Sequence, residues 1–411
     1  MGSDVASVNM AALAAVGIVG LLGPLSATAQ VQPPGDFRKT ARVHIGPLYM
    51  APAIDLKEFG IDSNVFNAND QPESDFVITV TPRAAVWMPV GQRLIWQVKT
   101  SGDFVYFATH ASERSINPSI GSRATLLSKR FTFFGEGSYE NTRQRPNFEI
   151  DARSRRTEES AGAGLGANVT PRLELEVAGD VSRIRHDADA VFRGTRLSET
   201  LNEDRTSASL TSRYRLSPLT TFVVEGEAIR DRFILSPIRD GDSTRIGSGV
   251  ILRPRALISG SARIGVGRFS ALNSAVPDYQ GLFAAADLTY HLPSLTEFRF
   301  TAERDLRFSF EPTYPYYISN GIGFSGRQGL VSRFDVEGSW KRYLYRYRDF
   351  NNGVSSDRSD VTHNIGGGMG YTIRRGLRGS FVISYWNRSS TTNVSAAYHG
   401  VRILTSLSSS L

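Results

Sequence analysis

From Phe76 onward the sequence keeps one pattern, in which runs of about ten residues alternate apolar and polar side chains and are then broken by a polar connection. A period of two is the signature of a β-strand with one apolar face. Leu94, Trp96, Val98, Thr100, Gly102, Phe104 and Tyr106 share one face of such a run, and Gln97, Lys99, Ser101 and Asp103 occupy most of the other. The same division separates Leu173, Leu175, Val177, Gly179 and Val181 from Glu174, Glu176, Asp180 and Ser182. Strands of soluble sandwiches and propellers average about five to six residues. These are nearly twice as long, which disfavours either architecture.

The connections alternate in length. Short ones stand at Pro89-Val90-Gly91, Ser128-Lys129-Arg130, Thr170-Pro171-Arg172, Ser217-Pro218-Leu219, Pro254-Arg255, Leu292-Pro293-Ser294, Gly326-Arg327-Gln328 and Arg374-Arg375-Gly376. Longer polar segments, such as 108–119, 143–155, 186–200 and 345–359, lie between them. Short turns at one end and long loops at the other predict an all-β fold: a single antiparallel transmembrane β-barrel of the bacterial outer membrane, with its turns in the periplasm. The count is eighteen strands: a first around 48–59, interrupted by Pro52, sixteen linked by the eight turns, and a last around 400–411. Sixteen is the alternative. An even number leaves both termini periplasmic.

Aromatic side chains on the apolar register support a lipid-facing assignment. Phe131, Tyr214, Phe222, Tyr290, Phe298 and Tyr371 lie beside the short turns, and Tyr106, Tyr139, Phe308, Trp340 and Tyr385 lie near the long loops. Two such girdles are expected where rings sit at headgroup level.

Ahead of the strands, an apolar stretch from Ala11 to Leu25 ends in Ala27-Thr28-Ala29, which reads as a signal peptide over residues 1–29 cleaved before Gln30. Residues 30–42 then form a periplasmic N-terminal segment and 43–411 the barrel. Beyond the leader no apolar run reaches the roughly 20 residues a helical span needs. The chain has no cysteine, which excludes disulfides and thiolate metal sites. Its six histidines are scattered, and its glycine clusters, Gly162 to Gly166 and Gly366 to Gly370, do not open helices, so neither a metal nor a nucleotide cofactor is expected. No residue set suggests catalysis, and an enzyme is disfavoured.

Near the first strand stand Ile45-Gly46-Pro47-Leu48-Tyr49-Met50-Ala51-Pro52 and Gly60-Ile61-Asp62-Ser63-Asn64-Val65-Phe66. With an all-strand remainder, this resembles the outer-membrane β-barrel porin family of the porin 2 type, often encoded beside exopolysaccharide synthesis and export genes. The resemblance implies a barrel with a role in polymer export and supplies no catalytic residues and no cofactor. Barrels of this kind end in an aromatic residue, whereas Leu411 holds that place here.

The polar register carries charges of both signs in near balance. Those expected to face the lumen include Lys99, Asp103, Glu174, Glu176, Asp180, Arg205, Arg213, Glu225, Glu227, Arg299, Glu303, Arg333 and Glu337. Acidic and basic strands alternate, so cross-strand pairs are expected to brace a wet wall. The chain nevertheless has a net charge of +7. The short turns hold Arg93, Lys129, Arg130, Arg172, Arg255, Arg327, Arg374 and Arg375 without an acid among them, a basic periplasmic rim that would concentrate an anionic polymer or hold anionic phospholipid. Tyr345-Arg346-Tyr347-Arg348 is expected in an external loop, where a glycan or lipopolysaccharide would meet it.

The expected function is a pore or accessory component for export of a hydrophilic, anionic exopolysaccharide; a non-conducting structural or adhesion barrel is the alternative. Expected partners are outer-membrane lipids and lipopolysaccharide, the barrel-assembly machinery, polysaccharide export proteins and the polymer, but not nucleic acid.

Overall fold

The computed structural model describes residues 36–409 apart from 148, 152, 255, 293–294, 331–332, 351–354, 375 and 393–395. The expected signal peptide, Arg255, Arg375 and Leu411 lie outside the described residues. Eighteen long strands form one antiparallel barrel, each hydrogen-bonded to its sequence neighbours. They are β1 (Leu48–Asp62), β2 (Asp75–Val90), β3 (Leu94–Phe107), β4 (Ser115–Leu127), β5 (Phe131–Thr142) and β6 (Arg156–Asn168). Then come β7 (Leu173–His186), β8 (Glu203–Arg215), β9 (Thr220–Phe233), β10 (Gly241–Leu252), β11 (Ile258–Ala271) and β12 (Tyr279–Leu292). The last six are β13 (Thr296–Phe308), β14 (Tyr316–Gly329), β15 (Phe334–Arg348), β16 (Ser355–Arg374), β17 (Leu377–Ser390) and β18 (Tyr398–Ser409).

The barrel closes where β18 pairs with β1, through Asp62↔Arg402, Ile61↔Ile403 and Gly60↔Leu404. The strands approach so closely there that a Cβ on Gly60 would stand 1.9 Å from the Ile403 carbonyl oxygen. Arg402 Nε donates to Asp62 Oδ2 (3.0 Å), tying the seam at its loop end. A bulge between Leu56 and Phe59 follows, and the ladder to β18 stops at Leu56. Asp55 then takes over as a side-chain acceptor for the Ser409 N–H (2.8 Å) and for Arg83 Nε (2.5 Å). Pro52 lies on the part of β1 that β18 does not reach, so its missing N–H removes nothing from the closing ladder and the strand runs through it.

Alternation sorts the walls as expected. Val177, Val181, Ile246, Ile264 and Ile365 are exposed on the outer surface, and of the girdle residues Phe131, Tyr214, Phe222, Phe298, Tyr371, Tyr106, Tyr139, Trp340 and Tyr385 are exposed with them. At the turn end a short helix, α1 (Asp36–Thr40), packs Phe37 onto the inward-facing Trp87 (ring centroids 6.2 Å) and Tyr49 (5.2 Å). The chain leaves it by a tight hairpin through Gly46, whose φ of +56° suits glycine.

Four expectations need correcting. Gly326-Arg327-Gln328 is not a turn: β14 continues to Gly329, and Arg327 stands opposite Glu337 in the ladder. The next strand begins only at Phe334, so Arg333 sits in the connection rather than in the wall, donating to the Ile373 carbonyl (3.2 Å). Glycine and two polar residues mimic a turn when the strand's inner face is polar. Tyr345 to Arg348 are strand residues, not loop, and both tyrosines are buried. Finally, Phe308 leaves the outer girdle and packs against Phe233 (4.7 Å) and Phe269 (5.9 Å) of the inner register.

Two substitutions check closure and register by the heat-modifiable electrophoretic mobility of a folded barrel. Gly60→Val is expected to abolish the folded form. Val177→Arg, on the lipid face, is expected to cost about 2 to 4 kcal/mol, whereas Glu176→Gln next to it leaves the folded fraction near normal.

Candidate functional site

The lumen wall is built by placing opposite charges on strands one to three apart. Arg213 of β8 reaches both Glu174 (3.3 Å) and Glu176 (3.0 Å) of β7, and Arg205 meets Asp231 (2.6 Å) and Glu203 (3.2 Å). Glu225 takes Arg263 (2.9 Å), Asp287 takes Arg299 Nε (2.7 Å), and Glu337 takes Arg378 (3.0 Å) and Arg327 (3.4 Å). Glu227 faces Arg245 in the ladder, while the Arg245 guanidinium crosses the glycines of β11 to Asp305 on β13 (2.9 Å). Glu303 accepts from Ser319 (3.3 Å), Asp180 stands between Gly162 and Ser207, and Lys99 is exposed between Ala85 and Gly121. Asp103 accepts from Lys57 (2.7 Å), Thr81 (2.6 Å) and Gln144 (2.8 Å).

Gln144 belongs to the 143–155 loop between β5 and β6, expected to be an ordinary external loop. It folds into the barrel instead and crosses the loop-end mouth to the far wall. Ile150 is buried with Ala190 and Leu197 of the 187–202 segment and with Phe310 of the loop between β13 and β14. The loop's acids dock on a buried charge cluster. Arg388 of β17 donates through Nη1 to Asp151 of the loop (2.7 Å) and through Nη2 to Asp360 of β16 (2.6 Å). All three side chains are almost fully buried. Asp151 also accepts from Tyr398 Oη (2.8 Å) and Asn67 Nδ2 (3.4 Å), and Asp360 from Tyr347 Oη (3.2 Å) and Arg358. Arg358 continues the chain to Glu311 (2.5 Å).

The planar fork of Arg388 suits this bridge, because one guanidinium can satisfy a wall carboxylate and a loop carboxylate together. Its position on the inner face was legible in the alternation. Its partners were not, since Asp151 lies in a loop and Asp360 pairs with it only in three dimensions. One signal was present: Ile150 is apolar amid polar loop residues.

Neighbouring loops reinforce the closure. Arg145 donates to the Asp151 carbonyl (2.6 Å) and to the Val65 carbonyl (2.5 Å). Asn64, buried at the end of the seam, bonds the Ala68 and His399 carbonyls, and Trp386 Nε1 donates to Asn67 (3.2 Å). The segment from Gly60 to Asn67 thus joins the barrel seam to the docked loop. His110 bonds Glu73 (2.7 Å) and Asp75 (2.8 Å), which hold its imidazolium form and raise its pKa.

Glu149, fully buried, accepts from Ser309 Oγ (2.6 Å). Burial raises its pKa to about 7, the Ser309 bond opposes that rise, and the nearby Glu311 adds to it. Burial also raises the carboxyl of Asp151, against the pull of Arg388 and Arg145.

The sequence profile of the family described as "Putative beta-barrel porin 2" matches residues 41–408. The chain belongs to this family. Among solved structures it is similar to OccAB3 of Acinetobacter baumannii, at 11% identity over 88% of this chain and 99% of that one, with a TM-score of 0.51. It is also similar to OpdK of Pseudomonas aeruginosa, crystallised with vanillate, at 9% identity over 89% and 99% of the two chains, with a TM-score of 0.48. At these identities the likeness shows the fold alone. A comparison with curated proteins finds no match. The family and the fold make the protein a porin-like barrel of the bacterial outer membrane.

Docking of the 143–155 loop carries a pH dependence with a definite sign. A carboxyl whose pKa is raised in the docked state favours docking fully below its ordinary 4.5 and loses that contribution as pH rises through about 7. Channel openings in planar bilayers are therefore expected to become more frequent between about pH 5 and pH 8, with the slope reduced in Glu149→Gln.

Proposed function

We propose that this protein is an outer-membrane channel for hydrophilic solutes, with the turns and both termini in the periplasm, whose loop-end mouth is held shut by its own 143–155 loop. The observation that carries this reading is the Arg388 bridge between Asp151 and Asp360, which fastens the loop to the far wall above a lumen lined with charges. A lumen braced by ion pairs stays wetted and offers little to an apolar solute. The latch, being local and electrostatic, can release without disturbing the ladders beneath it.

The preferred solute is anionic. Arg93, Lys129, Arg130, Arg172 and Arg374 stand exposed at the turn end, and Arg333 joins them in place of Arg327. A ring of cations at the periplasmic mouth raises the local concentration of an anion leaving the cell. An acidic exopolysaccharide is the specific form of this reading; its passage requires the loop to swing out, because in the docked state the chain itself fills the route. Catalysis has no part in it.

The latch is the test. Arg388→Ala leaves Asp151 and Asp360 buried without their shared cation, which is expected to cost the docked state about 3 to 5 kcal/mol and to produce larger, longer openings in bilayers. Release of acidic polymer by cells should rise with it, and should fall when Arg93, Arg172 and Arg374 are changed together to Gln. Silence of both the parent and Arg388→Ala barrels after verified insertion would put the non-conducting structural or adhesion barrel in first place.

A further inference from the structure

We propose that the seam between β12 and β13 is a lateral portal, through which a small apolar molecule passes between the loop-end lumen and the outer leaflet of the membrane. This goes beyond the hydrophilic channel and does not depend on it.

The ladder between these strands runs from Leu292↔Thr296 to Ala284↔Arg304 and stops. Tyr279–Phe283 and Asp305–Phe308 therefore face no ladder partner across the seam among the described residues. Spanning barrels avoid an open edge, since an unsatisfied backbone group in lipid costs several kcal/mol. Here side chains of β13 take over. Arg304 lies on the outward register, donates through Nε to the Leu282 carbonyl (3.0 Å) and through Nη2 to Tyr279 Oη (3.2 Å), and also bonds Asn320. The Leu306 N–H turns to the carboxylate of its neighbour Asp305 (2.9 Å).

The ladder stops where the loop ends of β13 and β14 lean inward and overlap their neighbours. Residues on their outward register meet residues on the inward register of β9 and β11: Phe308 against Phe233, and Tyr316 against Phe269 (5.4 Å). Tyr316 Oη donates to the Pro277 carbonyl (2.9 Å), and Arg245 holds Asp305 from the inner side. The overlap lines the seam with Phe269, Leu306, Phe308, Tyr316 and Ile318, while Leu282 is exposed on its lipid side. Along much of the inner wall charged side chains are paired instead. An apolar body is thus stabilised at this seam, and its shortest way out is sideways, past Arg304.

The absence of native cysteine allows a clean test. Leu282→Cys with Leu306→Cys would be bridged across the seam by a bifunctional thiol reagent in cells carrying the full protein. Entry of the apolar probe N-phenyl-1-naphthylamine and of arabinose would then be followed. The portal predicts that bridging lowers probe entry several-fold while arabinose entry is unchanged, and that Arg304→Ala raises probe entry alone. Unchanged probe entry after bridging would overturn it. So would a parallel rise of probe and arabinose in Arg304→Ala, which would mark an aqueous leak. Should Arg304→Ala fail to fold, the bridged pair in the parent background decides the matter.

Discussion

Everything in this molecule depends on the requirement that backbone N–H and C=O groups within a bilayer find partners inside the protein. Eighteen strands meet it only because the last finds the first, and that meeting is made possible by the lack of a side chain at Gly60. The same stretch goes on to supply Asp62 for Arg402, Asn64 for the backbone of a loop at Ala68 and of β18 at His399, and Asn67 for Asp151 of the docked loop. A short run of sequence thereby serves closure of the wall and closure of the mouth together. Where the ladder fails, at Leu56 and beyond Ala284, side chains of Asp55, Arg304 and Asp305 substitute for the missing strand partners.

The charges inside the barrel fall into two physical regimes. Along the wall, pairs such as Arg213 with Glu176 are partly wetted, and each contributes little to stability while keeping the surface polar. At the mouth, Arg388, Asp151 and Asp360 are withdrawn from water, so a broken pair there is costly although an intact one is no great source of stability. The proposed latch rests on that asymmetry, because a docked state held this way is specific in geometry and sensitive to the loss of a single group. Glu149 lies buried beside Ser309 and Glu311, where loss of water raises its carboxyl pKa to about 7.

How much of this was readable in advance follows from the range of the interactions. Lys99, Glu174, Glu176 and Val177 could be assigned to faces because alternation along a strand is local. Arg327 and Arg333 were exchanged between turn and wall because a polar inner face removes the contrast on which a strand boundary is read. Phe308 has the right register for the girdle, but the lean of β13 carries it inside, and no feature within the strand announces that lean.

The sequence by itself determined the architecture: eighteen strands, an apolar outer face, a charged inner one, short turns at one end and loops at the other, and membership in a porin family marked by the segment from Gly60 to Phe66. The tertiary structure alone decided that the 143–155 loop enters the barrel, that Arg388 joins Asp151 to Asp360, and that the ladder between β12 and β13 ends at Ala284. The physical reason is the distance over which each constraint acts. Periodicity and turn chemistry are set by neighbours in the chain, whereas a loop crossing a lumen is held by side chains from strands far apart in sequence, whose meeting depends on the curvature of the whole barrel.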